Sequence, residues 1–182
     1  MSAKARREGF TLIEVMMSLA IAAGALVAIF AMQESIAHGN GLSREMTTAT
    51  ANTRTWVERL RRDSLTWTAD NLAALAQTSY LSNVGAGWVQ PIPALPLPGL
   101  VQAPGADWSG AETVDAADQH FCTAIQLTWI RQNNTMRADV VTWWSRRGRA
   151  PCANTSPAFI ANLSNPASGF RQVAASTILR RQ

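Results

Sequence analysis

Glu14 is the one charged residue in an apolar run near the N-terminus. The run extends from Phe10 to Met32 and reads FTLIEVMMSLAIAAGALVAIFAM. A carboxylate inside an apolar membrane segment costs roughly 2.5–3.5 kcal/mol on insertion scales, so it is rarely found there without a partner. Glu14 therefore needs a partner that an ordinary membrane anchor does not supply.

The apolar run is long enough to cross a membrane. It has about 23 residues, which span roughly 34 Å as a helix. Three basic residues precede it, namely Lys4, Arg6 and Arg7, and no Lys or Arg follows it before Arg44. The positive-inside rule therefore predicts that residues 1–9 lie in the cytoplasm and that the chain after about residue 33 lies outside. A secretory signal peptide would end in a small-x-small cleavage site, whereas this run continues in helical character. A plain anchor leaves Glu14 unexplained.

The residues from Gly9 to Val15, GFTLIEV, resemble the leader motif of type IV pilins and type II secretion pseudopilins. The resemblance implies a bacterial prepilin that a prepilin peptidase cleaves between Gly9 and Phe10. It also implies N-methylation of the new amino group on Phe10. Glu14 would then neutralise the amine of a neighbouring subunit during assembly. The implied fold is the α+β type IV pilin fold, in which a long N-terminal helix packs against a small antiparallel β-sheet.

The chain divides into four predicted segments. Residues 1–9 form a cytoplasmic leader peptide, 10–32 a transmembrane and assembly helix, 33–66 an amphipathic continuation and 67–182 a periplasmic globular head. The continuation is predicted from an apolar stripe at a spacing near 3.5 residues, formed by Leu42, Met46, Ala49, Thr53, Trp56 and Leu60. Gly39 and Gly41 predict a bend or a melted turn within this helix.

The head begins with a short predicted helix and a proline-rich stretch. The helix is expected over 70–77, with Thr68 or Asp70 as its N-terminal cap. The stretch that follows, QPIPALPLPG, favours an extended, polyproline-like conformation. We interpret it as a rigid connector across the head, with a PxxP-type binding segment as the alternative.

The last third of the chain predicts antiparallel strands. Apolar and polar residues alternate from Phe121 to Trp129, and Asn133-Asn134 is a favourable two-residue turn. With that turn, the expected cross-strand pairs are Trp129 with Ala138, Leu127 with Val140 and Ile125 with Thr142. A third strand is expected over 170–179. One face of this small sheet is then apolar, as a sheet packed on the long helix requires.

Cys122 and Cys152 are the two cysteines of the chain, and neither belongs to a CxxC pair. Since the head is expected outside the cytoplasm, a structural disulfide is the favoured use of both. It would tie the first strand to the loop before the last one. Closing a loop of about thirty residues stabilises a fold by roughly 3–4 kcal/mol in the chain-entropy model.

Enzymatic chemistry is not indicated. No GxSxG, HExxH, phosphate-binding glycine loop or EF-hand pattern occurs in the sequence, and no metal or other cofactor is expected. Asp115, Asp118 and His120 lie close together and could hold a metal, although a solvated loop is the favoured interpretation. Trp144 is expected in the core, and Trp143 either packs on the sheet or contacts another subunit. The net charge of +4 is too small to predict nucleic-acid binding.

The helix after the membrane segment resembles that of minor pilins of the type IV pilus modification protein PilV type. The similarity covers Ala31 to Arg62, which ends in WVERLRR. It implies a low-abundance subunit that joins other minor and major pilins, primes or caps assembly and could carry a tip adhesin. The protein would move from the inner membrane into the extracellular pilus. The alternatives are a pseudopilin of a type II secretion or DNA-uptake system, and a membrane-anchored enzyme or receptor domain.

Overall fold

The computed structural model describes residues 11–69, 71–92, 105–146, 148, 150 and 152–182. The helices are α1 (Leu12–Ser64), α2 (Leu72–Leu75) and α3 (Pro157–Asn162), with 3-10 turns at Leu81–Asn83 and Pro166–Ser168. The strands are β1 (Trp88–Val89), β2 (Gly105–Ala106), β3 (Glu112–Thr113), β4 (Phe121–Arg131), β5 (Thr135–Ser145) and β6 (Phe170–Arg180). A long apolar N-terminal helix and a small antiparallel sheet give the α+β layout of the pilin fold, as predicted.

The chain forms two compact units whose boundary lies between Arg44 and Glu45. In the first unit, α1 continues without interruption through Gly39 and Gly41. The predicted melted turn is therefore wrong. Neither glycine adopts a positive φ, and a helix interior tolerates glycine at a cost of about 1 kcal/mol each.

The second unit, Glu45–Gln182, is the head. Its sheet has the strand order β3-β2-β4-β5-β6, and β1 pairs with a further part of β4. Every strand pair is antiparallel. The predicted third strand is confirmed as β6, and it forms one edge of the sheet. The short strands β1, β2 and β3 were not predicted because runs of two residues carry no periodicity.

The β4–β5 hairpin closes differently from the prediction. Its loop contains the three residues 132–134, and Asn133 in this loop has a φ of 55°. A β-bulge lies just before the loop, between Trp129 and Arg131 at the end of β4. Leu127 consequently pairs with Ala138, whereas Val140 was its predicted partner. A shift of two residues leaves each side chain on its predicted face of the sheet. The predicted apolar face is therefore retained although the register was wrong.

One face of the sheet packs against the second half of α1. The helix buries six residues there, which are Ala49, Thr53, Trp56, Val57, Leu60 and Ser64. Trp56 and Leu60 belong to one apolar cluster with Ile125 of β4 and Val140 of β5. Two members of the predicted stripe, Leu42 and Met46, are instead exposed. The stripe therefore contacts the head only from Ala49 onwards.

A hydrogen-bonded threonine ladder lies within this interface. The Thr53 hydroxyl donates to the Ala49 carbonyl at 2.8 Å and lies 2.9 Å from the Thr142 hydroxyl, with which it also bonds. The Thr142 hydroxyl is in turn 3.2 Å from that of Thr123. All three threonines are buried, so their mutual bonds remove the cost of burying unpaired hydroxyls.

The opposite face of the sheet is covered by the segment that contains α3. Cys122 and Trp143 of the sheet form a cluster there with Cys152, Ile160 and Leu163. Trp143 is fully buried, and its indole packs against the Phe159 ring with the ring centroids 5.8 Å apart. The alternative of Trp143 as an exposed subunit contact is wrong, because α3 covers the face to which it points. Trp144 is also fully buried, as predicted.

The segment after α1 is held by a single carboxylate. Asp63 accepts hydrogen bonds from the backbone N–H groups of Ser79, Tyr80 and Leu81 at 2.7–3.1 Å. The predicted second helix is a single turn, α2, and its cap is Asn71, whose side chain accepts from the Ala74 N–H. Three of the prolines of the predicted connector, Pro93, Pro96 and Pro98, lie outside the described residues, whereas Pro91 is buried.

Candidate functional site: the N-terminal helix

Thr11 and Glu14 build the start of α1. The Thr11 carbonyl accepts from the N–H groups of Glu14 and Val15 at 3.1 and 3.3 Å, and the Thr11 hydroxyl accepts from the Glu14 N–H at 3.4 Å. A threonine cap followed three residues later by glutamate is the capping-box pattern. The carboxylate thus lies in the first turn, where the helix dipole favours negative charge. Thr11 was not predicted as a cap, although the Thr-x-x-Glu spacing is present in the sequence.

The side chain of Glu14 is exposed, and its neighbours along the helix are apolar apart from Thr11 and Ser18. Gly9 and Phe10, the predicted processing residues, lie outside the described residues. Their roles, and the pairing of Glu14 with the Phe10 amine, stay predictions.

The first half of α1 presents a continuous apolar surface. No residue from 11 to 44 is buried. The surface comprises thirteen large hydrophobic side chains that are 47–81% exposed, namely Leu12, Ile13, Val15, Met16, Met17, Leu19, Ile21, Leu26, Val27, Ile29, Phe30, Met32 and Ile36. Soluble monomers rarely expose contiguous apolar patches of this size. An 18-residue window with a mean hydropathy of 2.4 makes α1 long and apolar enough to cross a membrane by length and composition.

The alternative metal residues of the head do not form a site. Asp115 and Asp118 are exposed, whereas His120 is buried under the Trp108 indole, with ring centroids 3.3 Å apart. Burial lowers the pKa of His120, and the nearby Glu45 carboxylate opposes that shift. Among the described residues, no group of three His, Cys, Asp or Glu side chains is arranged to hold a metal ion.

The structure joins Cys122 and Cys152 in a disulfide, with Cα atoms 4.9 Å apart and thirty residues between the two positions in sequence. Both cysteines are buried in the cluster under α3. The bond ties β4 to the segment before β6, as predicted. That this segment also covers the outer face of the sheet was not predicted.

The comparisons with known proteins concern the N-terminus. Residues 4–31 match the family described as the prokaryotic N-terminal methylation motif. No curated protein and no solved structure gives a significant match. The matched residues include the basic leader, the capped start of α1 and most of its apolar surface. The prepilin leader motif and the uncovered apolar helix together support a type IV pilin-like protein with a membrane-anchoring N-terminus.

Proposed function

We propose that the protein is a structural minor pilin of a bacterial type IV pilus. It enters the inner membrane as a prepilin, with residues 1–9 in the cytoplasm and the head in the periplasm. Prepilin peptidase cleaves it after Gly9, and Phe10 is N-methylated. The observation that carries this proposal is the coincidence of the methylation motif at residues 4–31 with a helix segment that buries no residue within its own chain.

Such a helix segment needs an apolar environment from outside the chain. A lipid bilayer supplies that environment before assembly, since the segment satisfies its backbone hydrogen bonds internally as a helix. A bundle of equivalent helices from other subunits supplies it in a filament. The thirteen exposed apolar side chains point around the helix in several directions, which suits contacts with more than one neighbour.

Glu14 is the proposed assembly residue. Because its carboxylate lies in the first turn of α1 and has apolar neighbours, its desolvation between packed helices would be costly without a counter-charge. The methylated amine of Phe10 on a neighbouring subunit would supply the counter-charge. The ion pair would then form only at the correct axial position, which sets the register of the helices.

The role of minor subunit rests on the resemblance to pilins of the PilV type. In this role the protein joins other minor and major pilins, primes or caps the filament, and leaves the inner membrane for the extracellular pilus. A pseudopilin of a type II secretion or DNA-uptake system would use the same leader chemistry.

Processing is tested by the mass of the intact protein after expression with and without a prepilin peptidase. Loss of residues 1–9 and gain of one methyl group on Phe10 are expected only with the peptidase. An uncleaved leader, or cleavage beyond the apolar run, would contradict the proposal.

Assembly is tested with Glu14→Ala in a piliated host that lacks the native gene. We expect loss of the protein from sheared filaments with normal membrane levels and normal cleavage. Glu34→Ala is the matched control, since Glu34 lies on the same helix and its side chain is 78% exposed; it should assemble normally. If the gene deletion abolishes protein secretion or DNA uptake and leaves piliation intact, the protein is a pseudopilin and the minor-pilin proposal is wrong.

A further inference from the structure

A cleft of about 620 Å³ lies in the head, at the end of the sheet where β4 begins and β5 ends. The β2–β3 turn, the loop before β4, the residues after β5 and Glu45 of α1 contribute its walls. None of the residues predicted for processing or subunit assembly lies in it. Its volume falls in the range typical of small-molecule sites.

Trp108 provides an aromatic platform in this cleft. It lies in the β2–β3 turn and is 64% exposed, although tryptophan is costly to leave in water. One face of its ring stacks on His120 with an interplanar angle of 18°. The His120 ring is itself packed edge-on against the Phe121 ring, with the ring centroids 4.7 Å apart. The core therefore supports the indole from below. Because the indole is already ordered, little side-chain entropy is lost when a ligand stacks on it.

The polar side chains of the cleft supply both hydrogen-bond donors and acceptors. Asp107 is fixed by hydrogen bonds from the N–H and hydroxyl of Ser109 at 2.8 and 2.7 Å. Glu45 accepts a bond from the Trp144 indole at 2.8 Å, which orients its carboxylate. Asp118 lines the cleft with an exposed side chain, and Arg146 adds a guanidinium.

His120, which lies beneath the Trp108 ring, carries an unpartnered polar atom. Its side chain is 4% exposed, and its Nε2 atom has no hydrogen-bond partner among the described residues. A buried polar atom without a partner costs about 1–3 kcal/mol. An unpartnered buried atom in a native structure calls for an explanation, such as an ordered water or a functional role nearby.

We propose that this cleft binds a neutral polyhydroxylated ligand, namely a saccharide that stacks on Trp108. The apolar face of a sugar ring suits the indole, and its hydroxyls suit the mixture of carboxylates and guanidinium around it. The polar walls disfavour a wholly apolar ligand, and the presence of both charge signs disfavours a strongly charged one. The inference is independent of leader cleavage and filament assembly.

The test uses the full chain in a detergent without a sugar headgroup. Maltotriose, lactose and the trimer of N-acetylglucosamine are titrated by calorimetry and by ligand-observed NMR. At least one is expected to bind with a Kd of about 1 mM or below. Trp108→Ala should weaken that binding by about tenfold or more. Asp118→Asn, an exposed change that should leave folding intact, should weaken it about three- to tenfold.

Ile178→Ala is the control, because Ile178 is 60% exposed on β6 and does not line the cleft; its binding should equal that of the unaltered protein. Failure of all three sugars to bind at about 10 mM overturns the proposal. So does equal binding by the Trp108→Ala protein when its fold is intact. Binding of an oligo-arginine peptide that salt abolishes, with no sugar bound, would make the cleft a protein-docking site and likewise overturn it.

Discussion

The two halves of α1 share one continuous backbone and differ in what covers them. From Leu12 to Arg44 no side chain is buried, whereas from Glu45 to Ser64 six residues pack under the sheet. Up to Met32 the first half is apolar nearly all round apart from Glu14, and the second half is amphipathic. A helix that is apolar all round requires a lipid bilayer or packed partner helices from outside the chain. The amphipathic half receives its environment from the sheet of the same molecule.

Substitutions in the two halves of α1 should therefore have different effects. Substitutions in the second half should change the unfolding free energy of the head, because they create cavities in a packed core. Substitutions in the first half should leave it unchanged and act on membrane insertion and assembly.

A pair of identical substitutions gives the largest expected contrast. Leu60→Ala removes a fully buried side chain and should destabilise the head by about 2.7–5 kcal/mol. Leu19→Ala changes a side chain that is 65% exposed on the same helix and should alter head stability by less than about 0.5 kcal/mol. Denaturant unfolding of the full chain in micelles, followed by tryptophan fluorescence, measures both. A comparable loss in the two variants would contradict the division of α1.

Loss of the disulfide should have the next largest effect, and it should be confined to the head. Cys122→Ser combined with Cys152→Ser is expected to lower the unfolding free energy by about 3–4 kcal/mol, since the unfolded chain regains loop entropy. Added reductant should lower the unfolding free energy of the unaltered protein by the same amount as the double substitution does. It should not change the unfolding free energy of the double variant. If reductant also destabilised the double variant, the lost unfolding free energy would not come from the Cys122–Cys152 disulfide.

The smallest predicted effect is a pH dependence that originates in the head. Because burial lowers the pKa of His120 in the folded state, the unfolded chain binds more protons just below the ordinary histidine pKa of about 6.5. Stability should therefore fall as the pH falls through about 6.5 towards the lowered folded value. His120→Gln should flatten this part of the stability curve.

The sequence predicted the elements whose signals are long and local. The apolar run, the stripe around Trp56 and Leu60, the alternation in β4 and the third strand all have a period that can be read over many residues. The cysteine pair was predicted from its expected compartment. The register of the hairpin was not predictable, because a two-residue loop and a three-residue loop combined with a β-bulge bury the same face of the sheet and differ only in local geometry.

The leader motif at the N-terminus was predicted from sequence because it is contiguous, and the roles of Gly9, Phe10 and Glu14 stay predictions. The cleft in the head was not predictable. Trp108, Glu45 and His120 come from a short turn, from α1 and from the loop before β4, and no spacing in the chain relates them. Similarly, α3 is too short to show a helical period, so its coverage of Trp143 could not be anticipated.

An apolar helix with one carboxylate, basic residues before it and a cysteine pair in the head can all be read from the sequence alone. Those features follow from residue type and neighbouring position, which folding does not change. The tertiary structure alone decided which half of α1 is covered, which faces of the sheet are buried and which polar side chains meet in the cleft. These depend on contacts between residues far apart in the chain, and local propensity does not encode such contacts.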